Sequence, residues 1–160
     1  MRDGSPAGTM TVIVGAFLSA IHLLTLALGL GAVVERGRAL SGVLDDAGWR
    51  RLLAADNLWG AAAGLWIASG LARVFFGGKE PGFYWHNGFF WTKMALFAAV
   101  FVLELRPMIT FMRVRAVRRS GAPLPHFSVD AYRRLNGAEI VLVVAIVFVA
   151  ALMARGAWLF

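Results

Sequence analysis

Four long apolar runs alternate with short, strongly polar connections along the chain. The first, Met10 to Val34, carries no formal charge and exceeds the roughly 20 residues a helix needs to cross a bilayer core. The second, Leu52 to Phe76, has Asp56 near its start and Arg73 near its end. The third, from about Phe89 to Leu105, contains Lys93, and the fourth, Gly137 to Met153, is rich in Val, Ile and Ala. In water such β-branched runs suggest strands, but at this length in lipid a helix satisfies its own backbone polar groups. The pattern predicts an all-α membrane protein, with four transmembrane helices forming a single domain over residues 1–160. The first run is too long for a signal-peptide core, and Arg36 and Arg38 follow it instead of preceding it, so it reads as an uncleaved span.

The connections add an orientation. The first and third hold Arg36, Arg38, Arg50, Arg51, Arg113, Arg115, Arg118, Arg119, Arg133 and Arg134, whereas the other side has Arg2, Arg73, Lys79 and Arg155. The positive-inside bias then puts the first and third loops in the cytoplasm and both termini outside. The second loop, GGKEPGFYWHNG, faces outward, where Tyr84, Trp85 and Trp91, with Phe75 and Phe76, form an interfacial aromatic belt. Asp45 or Asp46 is placed to cap the second helix and Ser128 the fourth. Gly121, Pro123 and Pro125 separate the fourth from the basic end of the third.

Composition narrows the class further. The chain is 59% hydrophobic and 16% charged, against about 45–50% and 25% in soluble domains. A small soluble domain has too much surface to bury that much apolar area. The net charge of +7 sits beside apolar spans and fits anionic headgroups of the inner membrane, not nucleic acid. The absence of cysteine excludes disulfides and thiolate chemistry. There is no phosphate-binding glycine loop, no HExxH and no GxSxG, so any catalysis rests on a cofactor.

The two halves resemble each other. DAGWRRLLAAD (46–56) aligns with DAYRRLNGAE (130–139), matching Trp49 to Tyr132, Arg50 and Arg51 to Arg133 and Arg134, and Asp56 to Glu139. VVER (33–36) answers LELR (103–106), and GLAR (70–73) answers MAR (153–155). These matches predict two helical hairpins of one orientation, related by a pseudo-twofold along the membrane normal. The repeat also sets a depth scale: His22 and Lys93 lie 13 and 11 residues before Glu35 and Glu104, a height difference of roughly 3 Å.

His22 shares its helix face with Gly15, Ser19, Thr25 and Gly29. Such a polar, small face should point into the bundle, where the histidine is either hydrogen-bonded and structural or a haem ligand or proton carrier. Lys93 near a helix centre costs about 2.5–3.5 kcal/mol and needs a partner, a bound anion or a neutral form. Arg73 is a candidate for anchoring carboxylates, and His86 shares the Lys93 face if the third helix starts early enough. Gly60 to Gly64, GAAAG, reads as close helix packing within the bundle or across a homo-oligomer, or else as room for a flat macrocycle against the backbone. Asp56, Glu139, Glu35, Glu104, Arg36 and Arg106 are expected to cluster at the cytoplasmic ends, as structural ion pairs or a proton path, with Asp56 the most buried.

At AIHLLTLALGLGAVVERGRAL, RRLLAADNLWG, the FYWHNGFFWTKMALF block and ALMARG, the sequence resembles a family of bacterial four-helix membrane proteins of unknown function. More distantly it is similar to haem-containing membrane protoporphyrinogen oxidases (HemJ type) and to copper-resistance D membrane proteins. That similarity implies His22 near or ligating haem b and Lys93 as its charge partner or a catalytic base. Asp56 is a further catalytic candidate, and Arg73 and His86 further cofactor-binding ones. Glu35 and Arg36 stand where those oxidases often carry a second histidine. Two readings follow: a haem- or porphyrin-binding oxidoreductase of the bacterial inner membrane, or a non-enzymatic bundle serving as a small transporter or as a subunit of a larger membrane complex.

Overall fold

The computed structural model describes residues 6–76, 82, 85–121, 123, 124 and 127–157. Arg2, Lys79, Tyr84 and Pro125 lie outside the described residues. Four helices account for nearly all of the remainder: α1 (Pro6–Ser41), α2 (Asp46–Phe76), α3 (Gly88–Ser120) and α4 (Val129–Ala154). Each is long and apolar enough to cross a membrane. The expected all-α, four-helix membrane architecture is therefore the one observed.

Helix ends follow local chemistry. α1 starts at Pro6, whose fixed φ and missing N–H suit a first helical position. Asp45, not Asp46, caps α2, its carboxylate accepting from the Gly48 N–H at 2.7 Å. Ser128 caps α4 as expected, accepting from Ala131 N–H. Asn87, which the sequence reading overlooked, caps α3 by accepting from Phe89 N–H at 2.9 Å. α3 ends at Gly121, whose φ of 71° is a left-handed conformation that glycine adopts without strain.

The helices outrun the apolar runs at one end of the bundle. α1 continues through Arg36 and Leu40, and α3 continues past Pro107 into its basic segment. Hydropathy ends where charges begin, but the helix persists because its inward face stays buried. Leu40, Trp49, Leu52, Phe111, Val114 and Tyr132 form a core cluster beyond the apolar stretches. A second cluster, Val33, Trp59, Trp66, Val100, Val143 and Ile146, fills the bundle centre.

Around the bundle the order is α1, α2, α3, α4. α1 packs chiefly on α2, α3 chiefly on α4, and α1 also meets α4, whereas α2 and α3 barely touch. These are the two hairpins the repeat predicts. A pseudo-twofold would make the α2–α3 seam the counterpart of α1–α4, and the two seams differ: one is closed and the other is loose. The repeat's matched residues do converge, with Trp49 and Tyr132 in one cluster and Asp56 and Glu139 both buried.

The closest helix approach does not use the GAAAG segment. Gly60 and Gly64 face outward, with nothing within 4 Å of where a Cβ would stand. Within the bundle it is Gly29 that brings α1 against α2, since a Cβ there would stand 3.1 Å from the Trp59 ring and 3.3 Å from Ala62 Cβ. Gly29→Leu is accordingly expected to cost about 1–3 kcal/mol by overpacking. Gly60→Leu should leave the detergent melting temperature near that of the wild type, and parallel thermal melts of the two variants check the contrast.

Candidate functional site

The loose α2–α3 seam holds a cleft of about 260 Å³. Its walls are Trp66, Gly70 and Val74 of α2 and Phe90, Lys93 and Phe97 of α3, with His22 of α1 and Ile146 of α4 behind them. A smaller adjoining cavity of about 110 Å³ adds Arg73, Val147 and Met153. The outermost wall residues, Ile67 and Leu71, are exposed, so the cleft opens sideways toward lipid.

His22 is held rigidly by α2. Its ring stacks on Trp66 at 5.6 Å and lies 3.3 Å from the position a Gly70 Cβ would take. Its Nδ1 is 2.9 Å from Ser69 Oγ, and that hydroxyl donates its one hydrogen to the Trp66 carbonyl at 3.1 Å. With the hydroxyl hydrogen on that carbonyl, Nδ1 is the donor and the lone pair of a neutral imidazole lies on Nε2, the tautomer suited to receiving a proton or ligating a metal. The polar face predicted around it points inward: Thr25 and Gly29 are buried, and Ser19 bonds back to the Gly15 carbonyl.

Lys93 Nζ stands 5.2 Å from the Phe90 ring centroid, a cation–π contact that softens the cost of an ammonium away from water. Among the described residues no carboxylate is paired with Lys93 or Arg73, and none lines the cleft. The similar heights inferred for His22 and Lys93 are matched by their meeting in one cavity, and Arg73 joins them. His86 does not. It is exposed, with Nδ1 bonded to the Gly82 carbonyl at 2.8 Å, in keeping with an interfacial loop residue. Trp85, Trp91, Phe75 and Phe76 around it are likewise exposed, as an aromatic belt requires.

A second polar centre lies roughly 21 Å farther along α1, by the rise over the residues from His22 to Arg36. Arg36, only 1% exposed, donates from Nη1 to Asp56 (3.1 Å) and to both oxygens of Glu104 (2.9 and 3.0 Å). Its Nη2 donates to Glu139 and its Nε to Asn136 Oδ1 at 2.8 Å. Asn136 returns a bond to the Val33 carbonyl, 3.1 Å away. Arg115 donates to Asp56 at 2.5 Å and Trp59 Nε1 to Glu104 at 3.0 Å. One guanidinium thus binds side chains from α2, α3 and α4.

The cluster expected at the cytoplasmic ends forms in part. Arg36, Asp56, Glu104 and Glu139 assemble, but Glu35 is exposed and pairs with Arg38, while Arg106 is exposed over the Tyr132 ring. Asp56 is not the most buried member: it is 7% exposed, against 1% for Arg36 and 0% for Glu139. It belongs to this network and not to the cleft, and its neighbour Asn57 is exposed. Sequence reading missed Arg115, Asn136 and Trp59. Helical spacing held the signal, since Arg115 follows Glu104 by three turns and Asn136 precedes Glu139 by one.

The cleft's donor set fits a haem or porphyrin in chemistry: an oriented imidazole, two cations for carboxylates and apolar or aromatic walls. In size it falls just below the roughly 300–1,000 Å³ of ordinary ligand pockets, so a macrocycle is not enclosed by the cleft alone. Among the described residues no cluster of three or more His, Cys, Asp or Glu side chains is arranged to hold a metal ion.

The chain belongs to the family described as "Predicted membrane protein (DUF2214)", whose family model matches residues 14–157. It is therefore a multi-pass membrane protein, as the resemblance to four-helix proteins of unknown function implied. No curated protein and no solved structure matches the chain, so the distant likeness to haem oxidases and copper-resistance proteins gains no support there.

Arg36→Met removes the cation shared by three carboxylates, leaving buried Glu139 without its donor, and is expected to cost about 3–5 kcal/mol. Arg106→Met, which loses an exposed cation–π contact, should cost about 0.5–1 kcal/mol. Chemical denaturation in detergent micelles separates the two.

Proposed function

Taking membership of a membrane family together with the chemistry of the α2–α3 cleft, we propose that the protein binds a lipid-soluble carboxylate there. A porphyrin or haem b is the occupant that the sequence resemblance supplies. One observation carries this reading: Lys93 and Arg73 line an otherwise apolar cleft, beside an imidazole, with no acidic side chain among the described residues facing them. Cations in that setting are stabilised by an anion arriving from outside the bundle, because each alone costs about 2.5–3.5 kcal/mol near a helix centre. Lys93 and Arg73 pair with the carboxylates, the aromatic walls take the flat apolar body, and the sideways opening admits it from the bilayer. His22, held by Ser69, presents Nε2 as a proton acceptor or iron ligand. Haem bound there would supply one-electron chemistry, making the protein an oxidoreductase of the bacterial inner membrane. The arginine-rich end is then cytoplasmic and both termini are outside.

A non-enzymatic bundle is the second reading. It is favoured by Arg36, which ties all four helices through polar contacts and needs no ligand to do so.

Titration of haem and protoporphyrin IX into the detergent-purified protein decides between them. Haem should give a shifted Soret band that His22→Ala removes, and Lys93→Met should weaken both ligands about tenfold, the loss of roughly 1.4 kcal/mol. An unshifted Soret band, or one indifferent to His22→Ala, defeats the ligand role. Unchanged affinity in Lys93→Met defeats the carboxylate site and leaves the structural reading.

A further inference from the structure

The ion network around Arg36 has an unbalanced charge. Three carboxylates, Asp56, Glu104 and Glu139, face two guanidiniums, Arg36 and Arg115. The other charged groups nearby are engaged elsewhere, Glu35 with Arg38 and Arg106 with the Tyr132 ring. An isolated excess negative charge in a low-dielectric interior is costly, and a proton is the smallest group that removes it.

The geometry indicates where that proton sits. Glu139 is 0% exposed; its Oε2 accepts from Arg36, but its Oε1 is buried with no hydrogen-bond partner. Glu104 and Glu139 flank one guanidinium, Glu104 on Nη1 and Glu139 on Nη2 of Arg36. Two carboxylates side by side are all acceptors and cannot bond each other, whereas a protonated Oε1 turns the orphaned atom into a donor toward Glu104. Paired carboxyl groups sharing one proton are the known resolution of this conflict.

A polar route to water opens on the Glu139 side of the network. Between the ends of α1 and α4 an open vestibule is lined by Ser41, Asp130 and Arg133, with buried Asn136 at its base. Gly37 makes room for it, because a Cβ there would stand 2.6 Å from Asn136 Nδ2. Asn136 in turn touches Arg36. Toward the cleft, the Val33, Trp59, Val100, Val143 and Ile146 cluster closes the way.

From these features we infer that Glu139 and Glu104 share one exchangeable proton, making the network a protonation site of the bundle, loaded from the arginine-rich face past Asn136. The proton is taken up as Oε1–H of Glu139, leaves by the same vestibule and changes the cluster from one net negative charge to none. No covalent or redox step is involved. The site does not depend on what occupies the α2–α3 cleft.

Infrared spectroscopy of the full-length protein in detergent at neutral pH tests this. One protonated-carboxyl C=O band, sensitive to deuteration, should be present and should be lost in Glu139→Gln. The glutamine reproduces a protonated carboxyl, so this variant should melt near the wild-type temperature, while Arg36→Met, which removes a required charge, should melt well below it. Asn136→Leu should slow deuterium exchange of the band several-fold. Absence of the band in the wild type, its persistence in Glu139→Gln, or a Glu139→Gln protein as unstable as Arg36→Met overturns the shared proton. An unchanged exchange rate in a folded Asn136→Leu protein overturns the route.

Discussion

Arg36 is a cation placed where neither water nor headgroups reach it, and much of the bundle is organised around that fact. Removing a guanidinium from water costs several kcal/mol, and the cost is offset only by partners of good geometry. The fold supplies partners from every other helix: Asp56 from α2, Glu104 from α3, and Glu139 and Asn136 from α4. Those partners restrict register. A helix shifted by one turn, about 5.4 Å, would lose its bond to the guanidinium. In a membrane interior, where apolar contacts between helices compete with equally apolar lipid, such a junction specifies arrangement more sharply than the leucines around it.

The same logic separates the two polar centres. Near the basic ends of the helices, charges of both signs meet and largely neutralise one another. In the cleft the charge contributed by the described residues is of one sign, from Lys93 and Arg73. An apolar cluster built on Trp59, Val100 and Val143 stands between them. The first arrangement is largely self-contained; the incompleteness of the second is what motivates the ligand proposed for it.

Much of this was legible in the sequence. Apolar run length gives four membrane helices because lipid leaves few alternatives for a backbone. Deep polar residues such as His22, Lys93 and Asp56 announce inward faces because lipid offers them no partners. What could not be read was partnership. VVER and LELR align, yet Arg36 turns inward while Arg106 turns outward, a difference set by rotation of the helix about its axis. Apolar content likewise placed the end of the third span near Leu105, whereas α3 runs through Pro107 to Ser120 because Phe111 and Val114 remain buried. For the GAAAG segment, spacing identifies a smooth helix face but not what lies opposite it, and no described residue of this chain stands within 4 Å of a Cβ built at Gly60 or Gly64.

The contrast between the two seams has a mechanical consequence. At the arginine-rich end all four helices are pinned through one side chain, while toward the cleft α2 and α3 scarcely meet. A rod bundle fastened at one end is stiff at the fastening and increasingly compliant away from it. Small tilts of the two hairpins about the pin therefore translate into the largest separations where the cleft opens, so its width follows leverage and not local side-chain motion. Whatever enters between α2 and α3 works against the long arm of that lever, with the pin at Arg36 as its fulcrum.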